Sequence, residues 1–313
     1  MTKYVVTGGA GFIGSSLVRG LLAQGAGKVV VIDNLLTGHE RNLEEVRKSI
    51  EFHCVDIRQF DEVQALVRGA DVVFHLAAIP SVPRSIADPI PSHQVNVDGT
   101  FNVLQACVWG DVRRVVYAAS SSAYGGSDVL PKVETMQADP KSPYAVQKLA
   151  GEYYARAFHS CYGLKTVSLR YFNVYGPRQD PSSAYSGVIS LFMKALIEKT
   201  APTMYGDGEQ SRDFTFVEDV VDITLKAARA GGAAGGMYNA GNGGRYTLNQ
   251  VWETLQKIEG LQIPACYAEP RAGDVRHSQA DTTAAVRDLG LQPRFSLEEG
   301  LRRTLDWYRH NVG

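Results

Sequence analysis

Two side chains four residues apart in "SPYAVQK", Tyr144 and Lys148, can do chemistry if they share a helix. Ser142 is a good N-cap and Pro143 suits a first helical position, so a helix is expected to start there. Tyr144 and Lys148 then lie one turn apart on one face. A free tyrosine titrates at about 10 and is a poor base at neutral pH. An ammonium beside it, joined by the positive ring of a nicotinamide, favours the phenolate, and the pair becomes an acid and base for an alcohol-ketone reaction. Tyrosine and lysine also meet at this spacing by chance on surface helices. The run "AASSSAYG" weighs against chance, because Ser120, Ser121 and Ser122 close a strand-like stretch near where the tyrosine would sit. One of these hydroxyls can hold a substrate hydroxyl while its proton moves. Self-capping of a polar strand end would explain one serine more easily than three.

A second constellation stands at the start of the chain. In "VTGGAGFIG", Gly8, Gly11 and Gly14 follow a strand-like run and open a helix. Without side chains there, the backbone turns tightly and approaches a pyrophosphate, whose charge meets the positive end of the helix. A glycine triplet alone can be just a tight strand-to-helix turn. Here the next strand ends in Asp33, at the position of an acid that binds the adenine ribose hydroxyls. Asp33 would repel a 2'-phosphate, and the following arginine is only Arg41, so NAD is expected rather than NADP. The other possibility for Asp33 is a surface turn beside Asn34. Asp56 in "CVDIR" is read as ending the third strand, where it reaches the adenine or caps the next helix.

These residues need a scaffold. Short runs rich in valine, isoleucine and aromatics ("KYVVTG", "KVVVID", "IEFHCVD", "DVVFHLA", "RRVVYAAS", "KTVSLRYF") alternate with helical stretches. Strands apolar on both faces and joined by helices make a parallel sheet covered on both sides. The expected fold is therefore α/β, a doubly wound Rossmann sheet with a smaller C-terminal substrate-binding part. Residues 1–173 are assigned to the dinucleotide half, with later segments returning to it, and 174–313 mainly to the substrate half. The chain has 313 residues, 44% hydrophobic and 21% charged, which suits a soluble globular protein. A formal charge of -1 gives no electrostatic case for nucleic acid or an anionic membrane as partner. No apolar run approaches the roughly 20 residues that span a bilayer. "MTKYVVTGGAG" passes from Met1 straight into a strand-like run, so no signal peptide and a cytoplasmic location are expected. Cys54, Cys107, Cys161 and Cys266 are far apart and histidines do not cluster, so neither disulfides nor a metal site is expected.

"TGGAGFIG", "HLAA", "SSSAYG", "YAVQK" and "LRYFNVYGPRQ" together resemble the extended short-chain dehydrogenase/reductase family, specifically its nucleotide-sugar 4-epimerases. The resemblance runs from Met1 to the C-terminal helix. It implies tightly held NAD, a UDP-sugar substrate, and a homodimer built through a helical bundle that includes the helix of Tyr144 and Lys148. Phe12, Ile13, Asn34, Ile57 and Ala77 join Gly8, Gly11, Gly14, Asp33 and Asp56 as implied cofactor contacts, with Tyr144 and Lys148. The implied reaction removes the O4 proton through Tyr144, passes through a 4-keto sugar, and restores the opposite configuration with no net redox change. The 4,6-dehydratases resemble the chain too, but carry an aspartate and a glutamate directly after the residue matching Ser120. Here those positions are Ser121 and Ser122, so dehydration is disfavoured; decarboxylases of UDP-glucuronate meet the same objection.

For the substrate end the resemblance maps Asn173, Arg212 and Arg271 onto diphosphate and sugar contacts. Two arginines on a pyrophosphate give charge-assisted forks. For Arg212 the alternative is a surface ion pair with Asp213, and for Asn173 a turn. Tyr205 is placed in the uridine pocket or, alternatively, in the core. Ser278 in "GDVRHSQAD" replaces a bulky tyrosine of epimerases confined to UDP-glucose and UDP-galactose, which leaves room for a 2-acetamido group. "TGHERNLEEV", "PSVPRSIADPI" and "GDVRHSQAD" resemble UDP-N-acetylglucosamine 4-epimerases of bacterial surface-polysaccharide pathways, the preferred substrate class. Pro80 stands where those relatives often have glycine, beside Ser81 and Arg84 as sugar-side contacts. Three rivals remain. A UDP-glucuronate 4-epimerase is disfavoured by Asp180, where an arginine would suit a carboxylate. An NADPH-dependent 4-keto-sugar reductase is disfavoured by Asp33. A non-catalytic NAD-sensing regulator has no need of the Tyr144 and Lys148 pair.

Overall fold

The computed structural model describes residues 2–182, 186–270 and 275–311. Six strands in the first half, β1 (Lys3–Thr7), β2 (Lys28–Ile32), β3 (Glu51–His53), β4 (Val72–His75), β5 (Arg114–Ser120) and β6 (Lys165–Tyr171), join one sheet. Four two- or three-residue strands follow, β7 (Val174–Tyr175), β8 (Thr203–Tyr205), β9 (Ser211–Arg212) and β10 (Thr215–Phe216), before β11 (Met237–Ala240) returns to the sheet. The order is β11-β6-β5-β4-β1-β2-β3 and every pairing in it is parallel. The direction of progression reverses between β1 and β4, and a crevice opens beyond the carboxyl ends of strands at such a point.

Alternation along each strand divides the core in two. Val6, Val31, Phe74 and Val116 face α1 (Phe12–Ala23), and their neighbours Val5, Val30, Val73 and Val115 face the opposite layer, so both faces are buried and β-branched. That opposite layer holds α2 (Phe60–Val67), the short α3 (Val82–Ala87) and α4 (Pro89–His93), then α5 (Thr100–Trp109) and α6 (Pro143–Tyr162). A third core, around Phe192, Phe216, Trp252 and Leu301, joins α7 (Val188–Glu198), α9 (Leu248–Glu259) and α11 (Leu297–Asn311). Between these, α8 (Val217–Arg229) packs Val220, Val221 and Leu225 into the sheet's first core. The remaining elements are β12 (Tyr246–Thr247), β13 (Cys266–Ala268) and α10 (Thr283–Leu289). No helix among the described residues is long and apolar enough to cross a membrane.

Ser142 caps α6 as expected, accepting from the Ala145 N–H at 3.2 Å, with Pro143 at the first position. Gly151 lets this helix lie against β5: a Cβ there would stand 2.3 Å from the Tyr117 hydroxyl. One expectation needs correction. The third strand stops at His53, where the Val55 N–H turns back to the His53 carbonyl, so Asp56 lies on the following loop instead of ending the strand.

Candidate active site

A cleft of about 800 Å3 opens at the carboxyl ends of β1, β2, β4 and β5. At one end of it lies the glycine loop. Gly8 takes a left-handed φ of 72°, and a Cβ on it would stand 2.7 Å from the Ala77 nitrogen; on Gly14 it would stand 2.1 Å from the Gly8 carbonyl oxygen. Side chains are thus excluded where the loop folds under the N-terminus of α1. Gly11 starts that helix with no side chain capping it, which leaves first-turn N–H groups for an anion. Phe12, Ile13, Asn34, Ile57 and Ala77 line the same end, together with Gly8, Gly11 and Gly14.

Asp33 follows β2 and is buried. Its carboxylate accepts the Ala10 and Leu35 N–H groups at 2.9 and 2.8 Å, and lone pairs remain for a ribose diol. Burial raises its pKa, while those two N–H bonds pull the other way. Asp56 lines the cleft too, held to about 2 chiefly by its hydrogen bond from Arg58, and it accepts the Asn34 amide at 2.8 Å. A 2'-phosphate would meet this acidic pair, so the donor set fits NAD. His39, between Asp33 and Arg41, turns away to Asp180, Nε2 to carboxylate 3.0 Å, and both line the cleft.

The three serines, Tyr144 and Lys148 line the middle of the cleft. Ser120 ends β5, and it lines the cleft together with Tyr144. The Ser122 hydroxyl donates to Ser120 Oγ at 2.8 Å, and the Ser122 N–H reaches the same oxygen at 3.2 Å. Ser120 therefore both caps its own turn and faces the tyrosine, so the capping and the functional reading coexist in one residue. Burial raises the Tyr144 pKa, with Ser120 opposing the rise. Burial also drives Lys148 down to about 7, its ammonium standing 4.7 Å from the centroid of the Tyr117 ring. The protein alone thus works against both charges. A cationic cofactor ring is needed beside them to tip Tyr144 towards the phenolate.

The other end of the cleft is assembled from distant segments. Ser81, Arg84, Asn173, Arg212 and Ser278 all line it. Ser81 is also the N-cap of α3, accepting the Arg84 N–H at 3.2 Å with φ at 123°. Arg212 does not pair with Asp213. Its guanidinium donates to the Ser211 and Arg276 carbonyls, both at 3.0 Å, while the buried Asp213 accepts from the N–H groups of Asn242, Gly243 and Ala280. Asn173, at φ 26°, donates to the Asp213 carbonyl at 3.2 Å. Tyr205 is not among the residues that line the cleft; it ends β8, which pairs with β13, the Gly206 N–H meeting the Ala268 carbonyl at 2.8 Å. Arg271 lies outside the described residues. Sequence reasoning did not assign Lys132, Tyr124 and Gln179, which line the cleft; Tyr124 and Gln179 fall within the quoted motifs "SSSAYG" and "LRYFNVYGPRQ", whereas Lys132 falls in none.

A doubly wound sheet with an uncapped glycine-loop helix, an acid after β2 and a Ser-Tyr-Lys centre defines a dinucleotide-dependent enzyme of the short-chain dehydrogenase type. Residues 4–241 match the NAD dependent epimerase/dehydratase family, and the chain belongs to it. A UDP-glucose 4-epimerase of Mycolicibacterium smegmatis is 40% identical over 314 residues, covering 98% of this chain and 99% of that one. The solved UDP-N-acetylglucosamine 4-epimerase of Methanobrevibacter ruminantium, in complex with UDP-N-acetylmuramic acid, is 37% identical with a TM-score of 0.94, covering 99% of this chain and 98% of that one. The UDP-glucuronic acid 4-epimerase of Bacillus cereus, solved with UDP-glucuronic acid and NAD, is 32% identical with a TM-score of 0.92, covering 99% of each. NAD is the cofactor of this chain.

Proposed function

We propose that this protein is a nucleotide-sugar 4-epimerase whose preferred substrate pair is UDP-GlcNAc and UDP-GalNAc, with UDP-glucose and UDP-galactose as lesser substrates. The observation that carries the reading is the grouping of Ser120, Tyr144 and Lys148 on the wall of one cleft, with Lys148 one helical turn from Tyr144. Tyr144 takes the proton from the sugar's 4-hydroxyl while Ser120 holds that oxygen, and it returns the proton once the sugar presents its other face. Lys148 supplies positive charge beside the phenolate. Bound NAD, held tightly by Gly8 to Gly14 and Asp33, supplies the two-electron acceptor that makes the C4 ketone transient. Ser121 and Ser122 carry no carboxyl group, which leaves dehydration without its acid.

The small Ser278 on the cleft wall supports an acetamido sugar, and Arg212 supports a diphosphate. Asp180 at the rim disfavours a uronate, and Asp33 disfavours an NADPH-dependent reductase. Residues 1–173, with α8, β11 and α10, mainly serve the cofactor while lending Ser81, Arg84 and Asn173 to the sugar, and the remainder mainly serves the nucleotide sugar. Exposed Val146, Tyr153 and Tyr162 on α6, next to Phe101 and Trp109 on α5, support a homodimer through these helices. A cytoplasmic location is part of this proposal.

Proton NMR of the purified protein with UDP-GlcNAc, UDP-glucose and UDP-glucuronate in turn, without added cofactor, should show UDP-GalNAc forming fastest. Tyr144→Phe should retain NAD and lose about 10²- to 10⁴-fold in turnover. Near-normal turnover in that variant, or UDP-galacturonate as the fastest product, would refute the assignment.

A further inference from the structure

Lys132 is buried to 1% exposure and still lines the floor of the cleft. It lies in "LPKVE", between the Ser-rich turn after β5 and α6, and no part of the mechanism above uses it. An ammonium has three donors. Among the described residues, Nζ meets one hydrogen-bond acceptor, the Ser127 carbonyl, and no carboxylate at ion-pair distance. Burial lowers its pKa, and the charge of Asp128 opposes the shift only in part. A buried cation without a counter-charge is costly, and such groups in clefts mark places where a ligand supplies the missing acceptor.

Backbone pairing says which part of the cleft it serves. Lys132 forms a parallel bridge with Ala280, its N–H on the Gln279 carbonyl at 2.7 Å and its carbonyl receiving the Asp281 N–H at 2.8 Å. Ser278 stands two residues before Ala280, the bridge partner of Lys132, and both Ser278 and Lys132 line the cleft. The bridge thus ties the buried donor to the segment that carries the small Ser278 side chain.

We propose that Lys132 is a specificity-determining residue, donating from Nζ to the carbonyl oxygen of the acetamido group on the sugar's C2. This rests on the epimerase reading and sharpens it: Ser278 makes room for the group, and Lys132 rewards its oxygen. A plain 2-hydroxyl is too short to collect that bond, and a 2-amino group, cationic at pH 6, is repelled.

The test is titration calorimetry on the NAD-loaded protein at pH 6 with UDP-GlcNAc, UDP-glucose and UDP-glucosamine, for wild type and Lys132→Met. Wild type should bind UDP-GlcNAc most tightly and UDP-glucosamine most weakly. Lys132→Met should lose about tenfold in affinity for UDP-GlcNAc, hold UDP-glucose to within about twofold, and gain for UDP-glucosamine. Equal losses for all three ligands, or an unchanged affinity for UDP-GlcNAc, would overturn the proposal. Should the variant fold poorly, wild type binding UDP-glucosamine as tightly as UDP-GlcNAc overturns it alone. Failure of the epimerase reading looks different: the same lysine-dependent preference, with no UDP-GalNAc formed in the NMR assay, supports the contact and removes the activity.

Discussion

The two ends of the cleft are built by opposite means. At the proposed cofactor end, Tyr144 and Lys148 apart, the lining comes from strand ends, the turns after them and the first turn of α1, within the first 77 residues, and the backbone does much of the shaping. At the sugar end, Ser81, Lys132, Asn173, Arg212 and Ser278 arrive from five separate segments, and buried polar groups hold those segments together. Asp213 gathers the loops at 242–243 and 280; Asn239 donates to the carbonyls of Lys132 and Asp281 at 2.8 and 3.0 Å and accepts the Tyr124 hydroxyl at 2.6 Å. A strand-end site is inherited with the sheet, whereas a site tied by buried hydrogen bonds is adjusted one loop at a time. The first suits an invariant ligand and the second a variable one.

Breaking the cofactor end should cost most. Gly14→Ala pushes a methyl group against the Gly8 carbonyl at 2.1 Å, a clash with backbone that rotamer changes cannot relieve. We expect a loss of about 3 kcal/mol, or roughly a hundredfold in NAD affinity, read as NAD released from the heat-denatured protein. Unchanged NAD content would show that the loop is less tightly built than its geometry indicates. At the sugar end, Asp213→Asn replaces an acceptor-only group with one that also donates, stranding at least one buried N–H. That should cost about 1–3 kcal/mol, appearing as a higher KM for the nucleotide sugar with full NAD content. A fall in NAD content instead would mean the two ends are not separable in this way.

The smallest effect concerns acid. His75 sits buried under the cofactor end, Nδ1 2.8 Å from Thr7 Oγ1 and Nε2 2.9 Å from Thr100 Oγ1. Burial, and then the Lys148 charge, pull its pKa from 6.5 to about 3. Between those values the unfolded chain binds a proton that the folded chain refuses. Stability is therefore complete above pH 6.5 and falls as the pH drops, by about 1.4 kcal/mol per pH unit from this group. Urea midpoints from pH 7.5 to 5 should decline in wild type and flatten in His75→Gln; parallel declines would assign the acid sensitivity to other groups.

The same contrast explains what was legible in the sequence. Strand alternation, the glycine spacing, Asp33 and the Ser142–Pro143 start of α6 are local signals, since turns, caps and period-2 patterns act within a few residues. Asp56 was misplaced onto the strand because nothing local marks where pairing with β2 ends. For Arg212 the sequence left an ion pair with its neighbour Asp213 as the alternative, which the fold removes by turning Asp213 inward. Lys132 was invisible, because its importance comes from pairing with a segment 148 positions later.

The return of β11 to the sheet also governs the order in which the molecule is made. Its four residues pair with Ser168 to Tyr171 of β6, across some seventy residues that mostly form the other lobe. Closing such a loop costs chain entropy before any contact repays it. A nascent chain that has emerged only as far as α8 therefore exposes β6 as a bare edge, with the Ser168 and Phe172 N–H groups lacking their partners at Gly236 and Ala240. The sheet is sealed only when β11 arrives, with α9 and α11 still to follow, so the newly made chain is most vulnerable to edge-to-edge association just before residue 237 appears.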